Sequence, residues 1–411
     1  MTMQEHCIII GAGHGGVQAA ASLRQEAYQG RITLVSDEPD LPYHKPPLSK
    51  GFLKAPEAPV LELRNEAFYR DNRIDLMRGA RVTAIEPASR TVSLADGGKL
   101  AYTNLILATG SRPRLPELDG VTLDGVLSLR SLADARRLNE GLSGPKRIAI
   151  IGGGFIGLEL AHTLAGLGHA VTLIEAVPRL LARSVAPAMA NHIQTRSAEA
   201  GIDFHVGARI SHIVGVNGKV DAIKLADGAN FPADLVILGT GALPNVELAA
   251  EAGLVVNNGI EVDAFLRCSD PAILAIGDCT NFHQVHAGQR LRLECVQNAT
   301  DQGRNAAKTI VGKPEAYREL PWFWSDQGDM KLQTAGLSLG ADHTITTGAL
   351  QDNAFAIHHF RAGKLIAVDT INRPAEHMLA RRLIGTRATP TLADVQAGPQ
   401  RLKEMLKEAA Q

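Results

Sequence analysis

Residues 8–16 read Ile-Ile-Ile-Gly-Ala-Gly-His-Gly-Gly, and residues 149–157 repeat the pattern as Ala-Ile-Ile-Gly-Gly-Gly-Phe-Ile-Gly. Each is a short apolar strand entering a GxGxxG turn, followed by an Ala/Leu-rich helical stretch. A second pair lies downstream. Val92 to Gly97 leads to Leu105–Gly110, and Ile223 to Gly228 leads to Val236–Gly241, so each half has an Asp-Gly hairpin and then a buried strand ending in Thr-Gly. Gly11 and Gly152 are 141 residues apart, whereas the downstream pairs are 131 apart. The ten-residue excess belongs in the first half, and the Pro-rich stretch 39–59 is its natural place. One GxGxxG is weak, but four landmarks recurring in order are strong. The chain reads as two Rossmann-like modules, each able to hold one dinucleotide.

The glycines divide the work. Gly11 and Gly152 allow the tight turn, Gly13 and Gly154 let backbone approach a pyrophosphate, and Gly16 and Gly157 let helix pack on strand. Gly15 and Ile156 complete the candidate contacts of the two turns, with Thr109, Gly110 and Gly241 at the ends of the later strands. An acid should follow the next strand to bind a ribose. Asp37 is the choice in the first module, with Glu38 able to do the same work; Glu175 is the choice in the second. A carboxylate at 175 accepts from the 2′- and 3′-hydroxyls of NADH and repels the 2′-phosphate of NADPH. Arg179 and Arg183 are offset from the strand tip and read as solvated residues. Ile-Leu-Ala-Ile-Gly277-Asp278 is an apolar strand ending in Gly-Asp, and a helix is expected over Val296–Ile310. Asp278 can bond a ribityl hydroxyl while the helix N–H groups meet the ring of FAD. Alone, the motif reads equally well as a turn Asp; beside the duplication, the flavin reading is favoured.

At 411 residues the chain exceeds one core. A net charge of -1 gives no support to nucleic-acid binding. Cys7, Cys268, Cys279 and Cys295 form no CxxC pair or His-rich cluster, so buried apolar cysteines are expected, with no metal site or disulfide framework. No basic and then apolar leader opens the chain, and no run reaches the ~18–20 apolar residues that span a bilayer. A cytoplasmic protein without membrane contact is expected.

These residues together resemble the two-dinucleotide, glutathione reductase-like flavoprotein reductases, over about residues 6–325. Within that superfamily, Pro46-Pro47-Leu48-Ser49-Lys50 stands where dithiol members carry a redox cysteine, and residues 37–60 contain none. That segment, Glu294 to Ala299 and Pro321-Trp322-Phe323-Trp324 are similar to the NADH-dependent ferredoxin reductases of oxygenase systems, the putidaredoxin reductase-like group. His44 and Lys45 depart from that group's pattern, and the C-terminal part matches loosely. Apoptosis-inducing-factor-like and rubredoxin-reductase-like proteins share parts of it.

The resemblance implies an α/β fold with an FAD domain (1–112 and 243–318) split by an inserted NADH domain (113–242). A small α+β, mostly β, domain follows (319–411), with strands expected at Ala354–Phe360 and Lys364–Val368. It further implies Lys50 as the cation near the flavin and Glu159 as its partner and a contact for the nicotinamide amide. Trp324 would cover the flavin edge, Arg130 would lie near FAD, and Val82 and Val296 would touch the cofactor through their backbones. Two core aromatics remain the other reading of Trp322 and Trp324. The implied reaction passes hydride from NADH to FAD and single electrons to a 2Fe-2S ferredoxin, which feeds an oxygenase. Arg304 and Lys308, four apart on one helix, are nominated for docking. Leu402, Met405, Leu406 and Ala409 form a short apolar stripe expected to pack on the body. A quinone reductase and a redox-sensing flavoprotein are the competing readings.

Overall fold

The computed structural model describes residues 5–408. The strands labelled here are, in chain order, β1 (His6–Ile10), β2 (Arg31–Val35), β3 (Ile74–Met77), β4 (Asn104–Leu107), β5 (Val126–Ser128), β6 (Arg147–Ile151), β7 (Ala170–Glu175) and β8 (Asp203–Val206). They continue as β9 (Leu235–Leu238), β10 (Ile273–Ala275), β11 (Trp322–Gln327), β12 (Met330–Gly336), β13 (His343–Ala349), β14 (Ala354–Arg361) and β15 (Lys364–Ile371). The helices used below are α1 (His14–Gln25), α2 (Phe155–Gly166), α3 (Pro187–Glu199), α4 (Val296–Ile310), α5 (Pro374–Leu383) and α6 (Pro399–Glu408).

The chain divides into two compact units. The first holds the chain up to His44, Val60–Arg112 and Leu243–Pro321; the second holds Lys45–Pro59, Pro113–Ala242 and everything from Trp322 onward.

In the first unit, five strands align in the order β10-β4-β1-β2-β3, all parallel. Cys7 to Ile10 are buried on both faces, as a central parallel strand requires. α1 and α4 cross closely on this sheet because glycines meet there: a Cβ on Gly303 would lie 2.7 Å from the carbonyl oxygen of Gly15. Gly15 thus has a packing duty that its place in the turn does not reveal.

The second unit repeats the sheet as β8-β7-β6-β9-β5, again parallel. Alternate residues feed two cores, Ile148, Ile150 and Ile237 on one face and Ala149, Ile151 and Val236 on the other. The two hairpins predicted by Asp-Gly are present, and in each the Asp carboxylate accepts from the amide two residues on, at 2.9 Å.

The same unit contains an antiparallel sheet, β11-β12-β15-β14-β13. Met330, Leu332, Phe355 and Ile357 of this sheet share one apolar core with Leu158 of α2 and Met189 of α3. α5 packs against β12 and β15. α6 lies on α5 with Leu402 and Met405 buried and Leu406 half-buried; Ala409 lies outside the described residues. No described helix is long and apolar enough to cross a membrane.

Candidate active site

Both glycine turns sit at the carboxyl ends of parallel strands. Gly11 and Gly152 have φ of +105° and +111°, and a Cβ on either would overlap the carbonyl oxygen of Ala108 or Gly239, the residue just before the Thr-Gly. A Cβ on Gly16 or Gly157 would overlap the carbonyl of Gly11 or Gly152. At Gly13 and Gly154 a Cβ would meet nothing within 4 Å. The space a pyrophosphate needs is therefore open at both turns.

Gly13 and Gly154 cap α1 and α2, and Cys295 caps α4. None of the three helices has a side-chain cap or an acid in its first turn. Their leading N–H groups keep the positive end of the helix for an anion or a polar ring edge. By contrast, the helix Leu132–Glu140 closes its own N-terminus with a Ser131/Asp134 capping box.

The ribose acids differ between modules. Gly152 N–H donates to Ile174 O, and Gly11 N–H donates to Val35 O, each at 2.8 Å, which fixes the correspondence of the strands. Glu175 follows Ile174, so its counterpart in the first unit is Ser36. Asp37 lies one residue further out, exposed and 3.6 Å from the Arg81 guanidinium. Glu38 is half-buried and accepts from the Tyr43 hydroxyl. Glu175 accepts from the Gly153 amide at 2.6 Å and from the Val177 amide at 3.0 Å. The acid thereby holds the glycine turn it serves. Arg179 is turned back on its own loop, donating to Ala182 O and Val185 O, while Arg183 is exposed.

The strand ends carry matched contacts. Thr109 Oγ1 donates to Asn245 O at 2.7 Å, and Thr240 Oγ1 donates to Arg114 O at 2.6 Å. Gly110 and Gly241 both have positive φ. Gly277 to Cys279 form a 3-10 turn after β10. The Gly277 N–H donates to Gln302 Oε1 at 2.7 Å, and Asp278 Oδ2 accepts from Ser111 Oγ at 3.1 Å. Gln302, wholly buried on α4, fixes this turn, yet nothing in the sequence singled it out. Val296 opens α4, and Val82 is buried at the start of the strand Val82–Glu86. β5 pairs with β9 as β10 pairs with β4, so Arg130 occupies in the second unit the place Gly277 holds in the first. Ile156, in the first turn of α2, is an exposed apolar side chain.

Lys50 and Glu159 come together although 109 residues separate them: Lys50 Nζ lies 2.8 Å from Glu159 Oε1. Pro46–Ser49 form a 3-10 turn docked on α2, where Thr163 Oγ1 donates to Ser49 O at 2.8 Å. Glu159 is buried and accepts further from Ser49 Oγ, Ser325 Oγ and the Asp326 amide. Trp324 is half-buried on β11, its ring centroid 5.7 Å from that of Trp322. Trp322, also half-buried, lies under Arg381 at 3.9 Å and beside His377.

Arg304 pairs with Asp301, and Lys308 Nζ lies 2.7 Å from Glu315. Both charges are offset locally. Burial pushes the thiols of Cys7 and Cys295 up to about 12 and raises Cys268 and Cys279 too, and all four are free. No cysteine here is a thiolate near neutral pH.

Residues 5–303 match the model of the pyridine nucleotide-disulphide oxidoreductases. The chain belongs to that family. Residues 322–406 match a reductase C-terminal domain. The oxidoreductase is 40% identical over 380 residues to rhodocoxin reductase of Rhodococcus erythropolis, covering 92% of this chain and 89% of that one. Among solved structures, it is similar to the ferredoxin reductase for the CYP199A2 system of Rhodopseudomonas palustris (TM-score 0.93, 41% identity, 99% and 100% of the two chains). It is also similar to the reductase in the covalent putidaredoxin reductase–putidaredoxin complex (TM-score 0.93, 37% identity, 99% of each chain). The disulphide of the family name has no counterpart here, since every cysteine is free.

Proposed function

We propose that this oxidoreductase is a cytoplasmic, FAD-dependent NADH:ferredoxin reductase. The observation that carries the reading is two open glycine turns in one chain that has no reactive thiol. Electrons entering as hydride then have no dithiol through which to leave, and a one-electron carrier is the natural acceptor. Relatives named for rhodocoxin, ferredoxin and putidaredoxin support the class of acceptor.

Bound FAD supplies the exchange between two-electron and one-electron chemistry. Residues 1–112 and 243–318 would hold it, with Gly11, Gly13, Gly15, Gly16 and the α1 N-terminus at its pyrophosphate and Asp37 at its ribose. Val82, Thr109, Gly110, Gly277, Asp278 and Val296 complete its contacts. Residues 113–242 would hold NADH through Gly152, Gly154, Ile156, Gly157, Gly241 and Glu175, while Arg130 would lie near FAD. Lys50 and Glu159, in contact with each other, would serve the hydride step as a pair, Glu159 accepting from the nicotinamide amide and Lys50 supplying positive charge. Trp324 borders the path by which electrons leave.

The test is NADH-driven turnover of the flavin-loaded protein against 2Fe-2S ferredoxins, rubredoxin, quinones and disulfides. Fast reduction of a 2Fe-2S ferredoxin is expected. Turnover confined to quinones or disulfides overturns the reading.

A further inference from the structure

Glu159 of α2 is engaged unequally at its two carboxylate oxygens. Oε1 accepts from Lys50 Nζ at 2.8 Å, from Ser325 Oγ at 2.7 Å and from the Asp326 amide at 3.3 Å. Among the described residues, Oε2 accepts only from Ser49 Oγ, at 2.6 Å. A carboxylate offers about four acceptor positions, two on each oxygen. Three donors share the two positions of Oε1, which is therefore fully used, and the second position of Oε2 is left over.

Two of the donors on Oε1 come from a strand far away in sequence. β11 runs along α2: the rings of Phe323 and Phe155 approach to 4.4 Å, and Ser325 reaches Glu159 one turn further along the helix. Ser325 and Glu159 are both buried, so this geometry is fixed by packing. The Asp326 carboxylate stands 3.5 Å from Lys50 Nζ and is 42% exposed. Lys50 thus pairs with two carboxylates, one buried and one facing solvent.

Resting on the functional reading above, we infer that Ser325 and Asp326 are positioning residues for nicotinamide recognition. Ser325 and the Asp326 amide turn the Glu159 carboxylate so that Oε2 is the acceptor presented to the carboxamide N–H of the coenzyme. The Asp326 carboxylate, 3.5 Å from Nζ, is a second anchor for Lys50. The C-terminal sheet therefore sets how the dinucleotide is read, although the glycine turn and Glu175 that bind it belong to another module.

The contribution is read by comparing NAD+ with 3-acetylpyridine adenine dinucleotide, whose acetyl group accepts a hydrogen bond but has no N–H to donate. Equilibrium titration of the oxidised, flavin-loaded protein gives a ratio of the two dissociation constants. The parent is expected to favour NAD+ about tenfold, the value of one hydrogen bond to a charged group. In Ser325→Ala the ratio should fall to within about twofold, because the carboxylate is free to turn. Ser325→Thr, which keeps the hydroxyl, should restore it. Should the alanine variant fold poorly, Ser325→Cys, with its weak donor, takes its place. Asp326→Asn keeps the backbone amide, so it should keep the ratio while lowering the limiting rate of flavin reduction severalfold.

A parent that discriminates and a Ser325→Ala protein that discriminates equally well overturn the positioning role alone. A parent that binds both dinucleotides equally overturns the assignment of Glu159 to the carboxamide, and the positioning role with it. An Asp326→Asn protein that reduces its flavin at the parent rate overturns the part assigned to that carboxylate.

Discussion

Glu175 does two things with one carboxylate. It accepts from the Gly153 and Val177 amides, which fixes the turn, and its remaining acceptor positions are available to ribose hydroxyls. Arg179 is the nearer cation by sequence, but its guanidinium is tied to the carbonyls of Ala182 and Val185, which leaves Arg183 of the two to meet a phosphate. Glu175→Gln keeps an acceptor for the Gly153 amide and removes the negative charge. The ratio of kcat/KM for NADPH to that for NADH should then rise by roughly 10- to 100-fold in steady-state kinetics. An unchanged ratio would mean that coenzyme choice is made elsewhere. The first unit offers a different lesson. Matching the strands makes Ser36, not Asp37, the counterpart of Glu175, because both modules count from the same backbone hydrogen bond. The sequence points to an acid near the strand end, and only the register tells which residue occupies the equivalent place.

Among the elements, the C-terminal sheet holds the chemistry most open to a pH test. His377 on α5 is buried, its Nε2 is 3.2 Å from Thr334 O, and its Nδ1 has no hydrogen-bond partner among the described residues. Burial, with the Arg381 charge adding to it, lowers the His377 pKa to about 4. His358 on β14 is also buried and lowered, by burial first. An unfolded histidine titrates near 6.5, so between about pH 6.5 and 4 the unfolded chain binds more protons than the folded one. Stability is therefore whole above pH 6.5 and is lost as pH falls toward 4, by about 3 kcal/mol from His377. Both tryptophans of the chain stand on β11, so their fluorescence reports this region. Thermal unfolding followed that way should show a midpoint that falls between pH 6.5 and 4.5, less steeply in His377→Gln. Equal slopes in parent and variant would remove His377 from the account.

On the scale of the whole molecule, charge is nearly balanced, with 42 basic and 43 acidic side chains. Attraction for an acidic carrier then has to come from a local patch. Arg304 and Lys308 share a face of α4, but each is paired with an acid of its own surroundings, which limits the field they project. Reversal of either charge should raise the apparent KM for ferredoxin only a few-fold at low salt. Ferredoxin reduction as a whole should slow with rising ionic strength, while reduction of the flavin by NADH barely changes. Stopped-flow measurement of the two half-reactions across a salt series separates them. Salt dependence that survives unaltered in Arg304→Glu and Lys308→Glu would place docking on another face.

The two modules were legible in the sequence because their markers are local. Gly11 and Gly152 need a backbone conformation that a side chain resists, and the Asp-Gly turns and apolar strands follow from short-range stereochemistry and burial. The pairing of Lys50 with Glu159 came from family resemblance, since residues 109 apart carry no local sign of their contact. Tertiary structure alone decided the rest. It set Ser325 and the Asp326 amide on Glu159, brought Gly303 against Gly15, and put Gln302 on the Gly277 turn. In each case the partners lie on elements brought side by side by the burial of apolar faces. Burial decides which faces meet; which serine, glycine or glutamine stands at the meeting point is a matter of register that no periodicity encodes.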